Sequence, residues 1–173
     1  MIVVYAGVQP DKDDGRRRLP ATAVADLEAR TRRLLARLRP SLVIGAAAAG
    51  ADLIVADAAA RLGLPLRLVL PHDRATFRAA SVTPRGAEWE ERYDRVLDVA
   101  EDVEEGVGEP GADATYRRHN QRMLERAREL APAGTEVWAL VIRPPGGLSS
   151  SVSDDFAARA EQLGMLTLDL DPR

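Results

Sequence analysis

The chain has 173 residues, of which 46% are hydrophobic and 29% charged, the composition of a globular protein able to bury one substantial core. It has no cysteine and two histidines, which excludes disulfides, thiolate nucleophiles and cysteine- or histidine-rich metal sites. A net charge of −3 and a sequence pI near 5.5 give no electrostatic support to nucleic-acid binding.

Ile2 to Tyr5 is a short apolar run that predicts a strand, ended by Ala6-Gly7. A polar loop with the basic run Arg16-Arg17-Arg18 follows, most simply solvated but able to reach an anion. Pro20 and Thr22 open a helix to about Leu38, with Val24, Leu27, Leu34, Leu35 and Leu38 as its apolar stripe and a row of arginines as its solvated face. Pro40 stops it. Leu42 to Ile44 predicts a buried strand, Gly45 to Gly50 a tight turn of almost bare backbone, and Ala51 to Leu62 a helix. Such a turn suits phosphate, because ligand atoms can approach the backbone and the first-turn N–H groups favour an anion. The same alanines also suit close packing of a helix on a sheet.

Gly63 and Pro65 turn the chain into a strand at Leu66–Leu70, ended by Pro71. Two helical pieces, around Arg74–Ala80 and Ala87–Ala100, are divided by Thr83-Pro84-Arg85-Gly86. Asp102–Val107 predicts a short acidic strand, Gly108–Gly111 a turn and Ala112–Leu130 a long helix. Val137–Ile142 reads as a buried strand, followed by a loop with Gly146, Gly147, Ser149, Ser150 and Ser151, whose N–H groups and hydroxyls suit phosphate or ribose oxygens. A flexible solvent-exposed connection fits that loop too. A helix at about Val152–Leu163 and a strand at Met165–Leu170 complete the chain. This alternation predicts one domain, a three-layer α/β Rossmann-like sandwich with a mainly parallel central sheet, and a ligand crevice where the two small-residue loops face each other.

In order and motif the chain resembles the SLOG superfamily, the Rossmann-like group that includes Lonely Guy phosphoribohydrolases and DNA-processing protein A, and within it the stand-alone bacterial members. The resemblance rests on Ala6-Gly7-Val8 after the first strand, Gly45 to Asp52 before Val55-Ala56-Asp57-Ala58-Ala59, Val69-Leu70-Pro71, the Tyr116 to Leu124 helix, and the Pro145 to Ser151 loop with Asp154 or Asp155 beyond it. It implies a nucleotide or nucleotide-derived ligand, and it implies a homodimer or larger assembly. Lonely Guy enzymes carry Pro-Gly-Gly-x-Gly-Thr-x-Glu-Glu, and here Val152 and Ser153 stand at the two Glu positions.

The expected ligand-binding residues are therefore Gly7, Gly45, Gly50, Ala51, Asp52, His72, Tyr116, Asn120, Gly146, Gly147, Ser149, Ser150 and Ser151. Asp52 suits a ribose hydroxyl, although a first-turn aspartate equally serves as a cap or dipole partner. Tyr116 and Asn120, four apart on a helix, share one face, where a ring stacks on a base and an amide reads its edge. His119 is expected on a different side from Asn120, outside a shared site. His72, next to Pro71, is a candidate for an anion contact or proton transfer. The leading expectation is a nucleotide sensor or binding module without a cofactor. An N-glycosidase would use Asp154 or Asp155 as catalytic carboxylate to stabilise a cationic sugar. A single-stranded DNA-binding protein is disfavoured by the acidic pI. Trp89, Tyr93, Val96 and Leu97 lie at helical spacing and are expected to form an interface between copies. With no membrane-spanning run and no basic leader, a cytoplasmic location is expected.

Overall fold

The computed structural model describes residues 1–12, 18–145 and 151–173, with the backbone alone at Ser151. Its strands are β1 (Ile2–Gly7), β2 (Leu42–Gly45), β3 (Leu66–Leu70), β4 (Asp102–Glu105), β5 (Val137–Ile142) and β6 (Leu166–Leu170). The helices are α1 (Val24–Leu38), α2 (Ala51–Arg61), α3 (Arg74–Ser81), α4 (Ala87–Val99), α5 (Asp113–Glu129) and α6 (Ser151–Gln162). All six strands are parallel, in the order β4-β3-β2-β1-β5-β6. This is a Rossmann-like α/β fold.

β1 lies at the centre, with Ile2 opposite Leu42 on one side and Val137 on the other. Its residues Ile2 to Tyr5 are all buried, the continuous apolar run of a strand covered on both faces. The chain steps outward from β1 to β4, then α5 carries it back across the sheet to β5. Right-handed crossovers in opposite directions place helices on opposite faces. Accordingly α1, α2 and α4 pack side by side, and α5 packs against α6 and across β1, β2 and β3. The acidic strand β4 sits at an edge, where Glu104 meets Arg122 at 2.6 Å and Glu105 meets Arg74 at 2.6 Å. Charge at an exposed edge blunts strand pairing with other chains.

α1 ends at Arg39, a non-glycine residue with φ +45° whose N–H still closes on Leu35 O, and Pro40 then bars continuation. The stripe on α4 turns inward: Trp89, Tyr93 and Val96 are buried within the chain, and α4 packs on α2. That corrects the expected interface, because a helix on an open sheet must spend its apolar face on its own core. Among the described residues, no helix is long and apolar enough to cross a membrane.

Candidate functional site

The carboxyl ends of β1, β2 and β3 open into a cavity of about 540 Å³. It lies where the strand order turns back from β1 to β5, the switch point at which open parallel sheets receive ligands. Ala6 and Gly7 from β1 and Ala46, Ala48 and Asp52 from the β2–α2 corner form one side. Pro71 follows β3, and Phe77, Ala80 and Ser81 come from α3. Tyr116, His119, Asn120 and Met123 come from α5, and Val152 and Ser153 from the start of α6. Gln9, Lys12 and Arg18, from the segment after β1, and Pro110, Gly111 and Asp113, around the start of α5, complete the rim.

The glycines do not all serve a ligand. A Cβ on Gly7 would stand 2.5 Å from Ala51 Cβ, so this position lets β1 meet α2 while its backbone lines the cavity. Gly45 lies under the ring of Tyr5, whose Cζ would be 2.5 Å from an added Cβ. Tyr5 Oη then donates to Ala46 O at 2.6 Å, and burial, with Asp52 nearby, pushes the phenol well above its ordinary pKa. Gly50 has φ +104°, and a Cβ there would come 2.7 Å from Val8 O. Neither Gly45 nor Gly50 is on the cavity wall, nor is Ala51.

The expectation of free amides at this corner needs correction as well. Ala49 N–H donates to Ser81 O, Ala51 N–H to Val8 O and Leu53 N–H to Ala48 O. These donors tie the corner to the loop after β1 and to α3. Three donors of this corner are thus spent within the protein, as buried N–H groups require.

Asp52, by contrast, does line the cavity and is buried. Gly7 N–H donates to its Oδ1 at 3.0 Å, which joins the end of β1 to the first turn of α2. Burial lifts its pKa to about 7 against the pull of the Gly7 and Ala48 amides.

On α5, Tyr116, His119, Asn120 and Met123 follow an i, i+3, i+4, i+7 pattern, and all four reach the cavity. This corrects the expected separation of His119 from Asn120. Positions three and four residues after Tyr116 flank the same stripe, and adjacency to Asn120 was the wrong comparison. His119 Nε2 donates to Val69 O at 2.7 Å, and burial pushes its pKa down to about 4, so the ring is neutral at physiological pH. Asn120 Nδ2 donates to Val152 O at 2.8 Å and to Asp155 Oδ2 at 3.1 Å, which fixes the amide's orientation and anchors α6. Tyr116 Oη accepts from Gly111 N–H at a long 3.5 Å. His72 sits behind this wall rather than on it. Its Nδ1 donates to Gly108 O at 2.7 Å, its ring packs edge-on to Tyr116, and the buried Nε2 has no partner.

The two proposed catalytic carboxylates are elsewhere. Asp155 is clasped by Arg117 at 3.1 Å, Arg159 at 2.8 Å and Asn120, which hold its carboxyl below the ordinary range despite burial. Asp154 bonds Arg143 at 3.0 Å, and neither residue lines the cavity. Each step along a helix turns a side chain by about 100°, so when Val152 and Ser153 face the cavity the next two residues are carried away from it. Gly146, Gly147, Ser149 and Ser150 lie outside the described residues, as does the Ser151 side chain. Among the described residues, no group of three or more His, Asp or Glu side chains is placed to hold a metal ion.

Lys12, Arg18, Phe77, Ser81 and Ser153 are cavity residues absent from the expected set. A signal existed for the first two, the sole lysine and the end of the Arg16–Arg18 run in the loop after β1. Nothing local marks the other three.

No protein-family model matches this chain, and no curated protein does. Among solved structures, the X-ray structure of DNA processing protein A from Streptococcus pneumoniae is similar over 96% of this chain, with 15% sequence identity and a TM-score of 0.42. This chain spans 57% of the length of that one.

Proposed function

We propose that this chain binds a nucleotide or nucleotide-derived small molecule in the cavity at the β1/β5 switch point, as a sensor or binding module. The observation that carries the reading is the pairing of walls in that cavity. Lys12 and Arg18 stand on the rim, Tyr116 offers a half-buried aromatic ring, and Ala46, Ala48 and Gly7 leave a floor with little side chain. Cations suit phosphate, an aromatic face suits a base, and a thin floor lets the ligand approach the sheet edge. The order of motifs shared with SLOG proteins supports the same ligand class. The hydrolytic alternative rested on Asp154 and Asp155, whose carboxylates are ion-paired away from the cavity. Val152 and Ser153, the residues that do face it from α6, supply no charge.

Thermal shift with a panel of ribonucleoside mono-, di- and triphosphates tests the proposal. A true ligand stabilises the fold by mass action, about 2.7 kcal/mol at a hundredfold excess over its Kd. Tyr116→Ala is expected to weaken binding of the same nucleotide by about tenfold, the scale of one lost stacking contact. A panel without any shift, or a Tyr116→Ala protein with full affinity, refutes the reading.

A further inference from the structure

Three aspartates with little exposed carboxylate or residue surface stand in different company. Asp57 is held by Arg61 at 2.8 Å and Arg95 at 2.9 Å, and Asp155 by Arg117 and Arg159, both carboxylates being 9% exposed. Asp52 is a buried residue too, but no cation or side-chain donor among the described residues reaches it. Among the described residues, the backbone amides of Gly7 and Ala48 alone support it. A carboxylate offers about four acceptor positions, and a buried one without a countercharge is costly unless those positions are filled. Unlike Asp57, Asp52 borders the cavity, so a ligand there can fill them.

The chemistry of the donor follows from the rest of the wall. Lys12 and Arg18 share the rim with Asp113, and on the nucleotide reading the group that meets Asp52 is a neutral hydroxyl or N–H of an otherwise anionic molecule. Resting on the nucleotide reading above, we propose that Asp52 reads the vicinal hydroxyls of the ligand's sugar, so that the site takes ribonucleotides over dideoxy counterparts and couples their binding to release of a proton from Asp52.

The surroundings allow that coupling to be attributed. From β1, Tyr5 is buried and un-ionised, and from α5 His119 is neutral, with a pKa near 4. Among the described residues, Asp113 and Tyr116 from α5, and Lys12 and Arg18 from the segment after β1, are the other titratable groups on the wall; α3 and α6 contribute none. Asp52 is raised to about 7, which places its titration within the working range.

Titration calorimetry decides the matter, with ribonucleoside 5′-monophosphates and their 2′,3′-dideoxy counterparts at about pH 6 and about pH 8. The ligand phosphate also titrates near pH 6, but equally in both series, so the ribo-to-dideoxy affinity ratio cancels it. The ratio is expected to exceed ten at the higher pH and to fall about tenfold at the lower one, because protonated Asp52 no longer accepts. Binding heats of the ribonucleotide in buffers of different ionisation enthalpy are expected to show proton release. Asp52→Asn should make the ratio independent of pH. Should that variant fail to fold, the wild-type ratio alone decides. Equal affinity for both series at both pH values overturns the proposal while leaving nucleotide binding intact. Absence of binding by every nucleotide overturns the nucleotide reading and this proposal together.

Discussion

Two titratable residues on the cavity wall act on stability in opposite senses. Asp52 has its pKa raised from 3.8 to about 7 by burial, so the folded state holds a proton that the unfolded chain releases. Its contribution is complete below the unfolded value and is lost as pH rises through the folded one. His119 is the reverse: lowered from 6.5 to about 4, it contributes above the unfolded value and loses that contribution as pH falls through the folded one. Between roughly pH 4 and 6.5 the two offset each other, so the wild-type profile conceals both. Asp52→Asn removes one partner. We expect its stability relative to wild type to rise between about pH 5 and about pH 8, toward a limit on the order of 4 kcal/mol over the full titration, as read from urea midpoints. Parallel pH profiles for the two proteins would show that Asp52 is not displaced. Asp57 and Asp155, both lowered by their arginines, act only at more acid pH and leave this window clear.

At the scale of elements, the β2–α2 corner shows how one small-residue sequence serves two ends. Gly45 and Gly50 look alike in the chain, yet one lies under Tyr5 and the other against the backbone of Val8, and neither meets the cavity. Gly50→Ala combines a left-handed φ with a Cβ placed 2.7 Å from Val8 O. It should destabilise the protein by about 2–3 kcal/mol or more, as seen in chemical denaturation, rather than abolish ligand binding in an otherwise normal fold. Wild-type stability in Gly50→Ala would mean that this contact relaxes freely. Helix α5 was more legible. Its cavity stripe follows from helical spacing once Tyr116 is taken as the origin, and that spacing also captures His119. The start of α6 was not legible, because one residue of phase decides whether Asp154 or Ser153 faces the ligand, and sequence alone leaves helix phase open at a boundary.

The whole molecule spends most of its few large aromatics on its own core. Trp89 lies between α4 and the rest of its layer with Arg92 5.1 Å above the ring, and only 7% of its surface is exposed. Trp89→Ala should therefore cost about 3–5 kcal/mol in unfolding free energy and leave the sedimentation coefficient of the native protein unchanged. A fall to a smaller species in that variant would restore α4 as an interface between copies. The same layer contains the Asp57–Arg61–Arg95 cluster, which links α2 to α4 through a paired buried carboxylate.

The alternation of apolar runs and amphipathic helices determined the strands, the helices and the parallel α/β class by itself, because strand and helix periods are local properties of the chain. Its short apolar runs at β1, β2, β3 and β5 already marked strands covered on both faces. The composition of the cavity was decided only in three dimensions. The reversal at β1 brings residues from both ends of the chain to one sheet edge, so Lys12 comes to share a wall with Ser153. Partnering was decided there too. Asp52, Asp57 and Asp155 are the same residue type on helices of similar make-up, but arginines from neighbouring helices reach two of them, while the third is left with backbone amides and an open cavity.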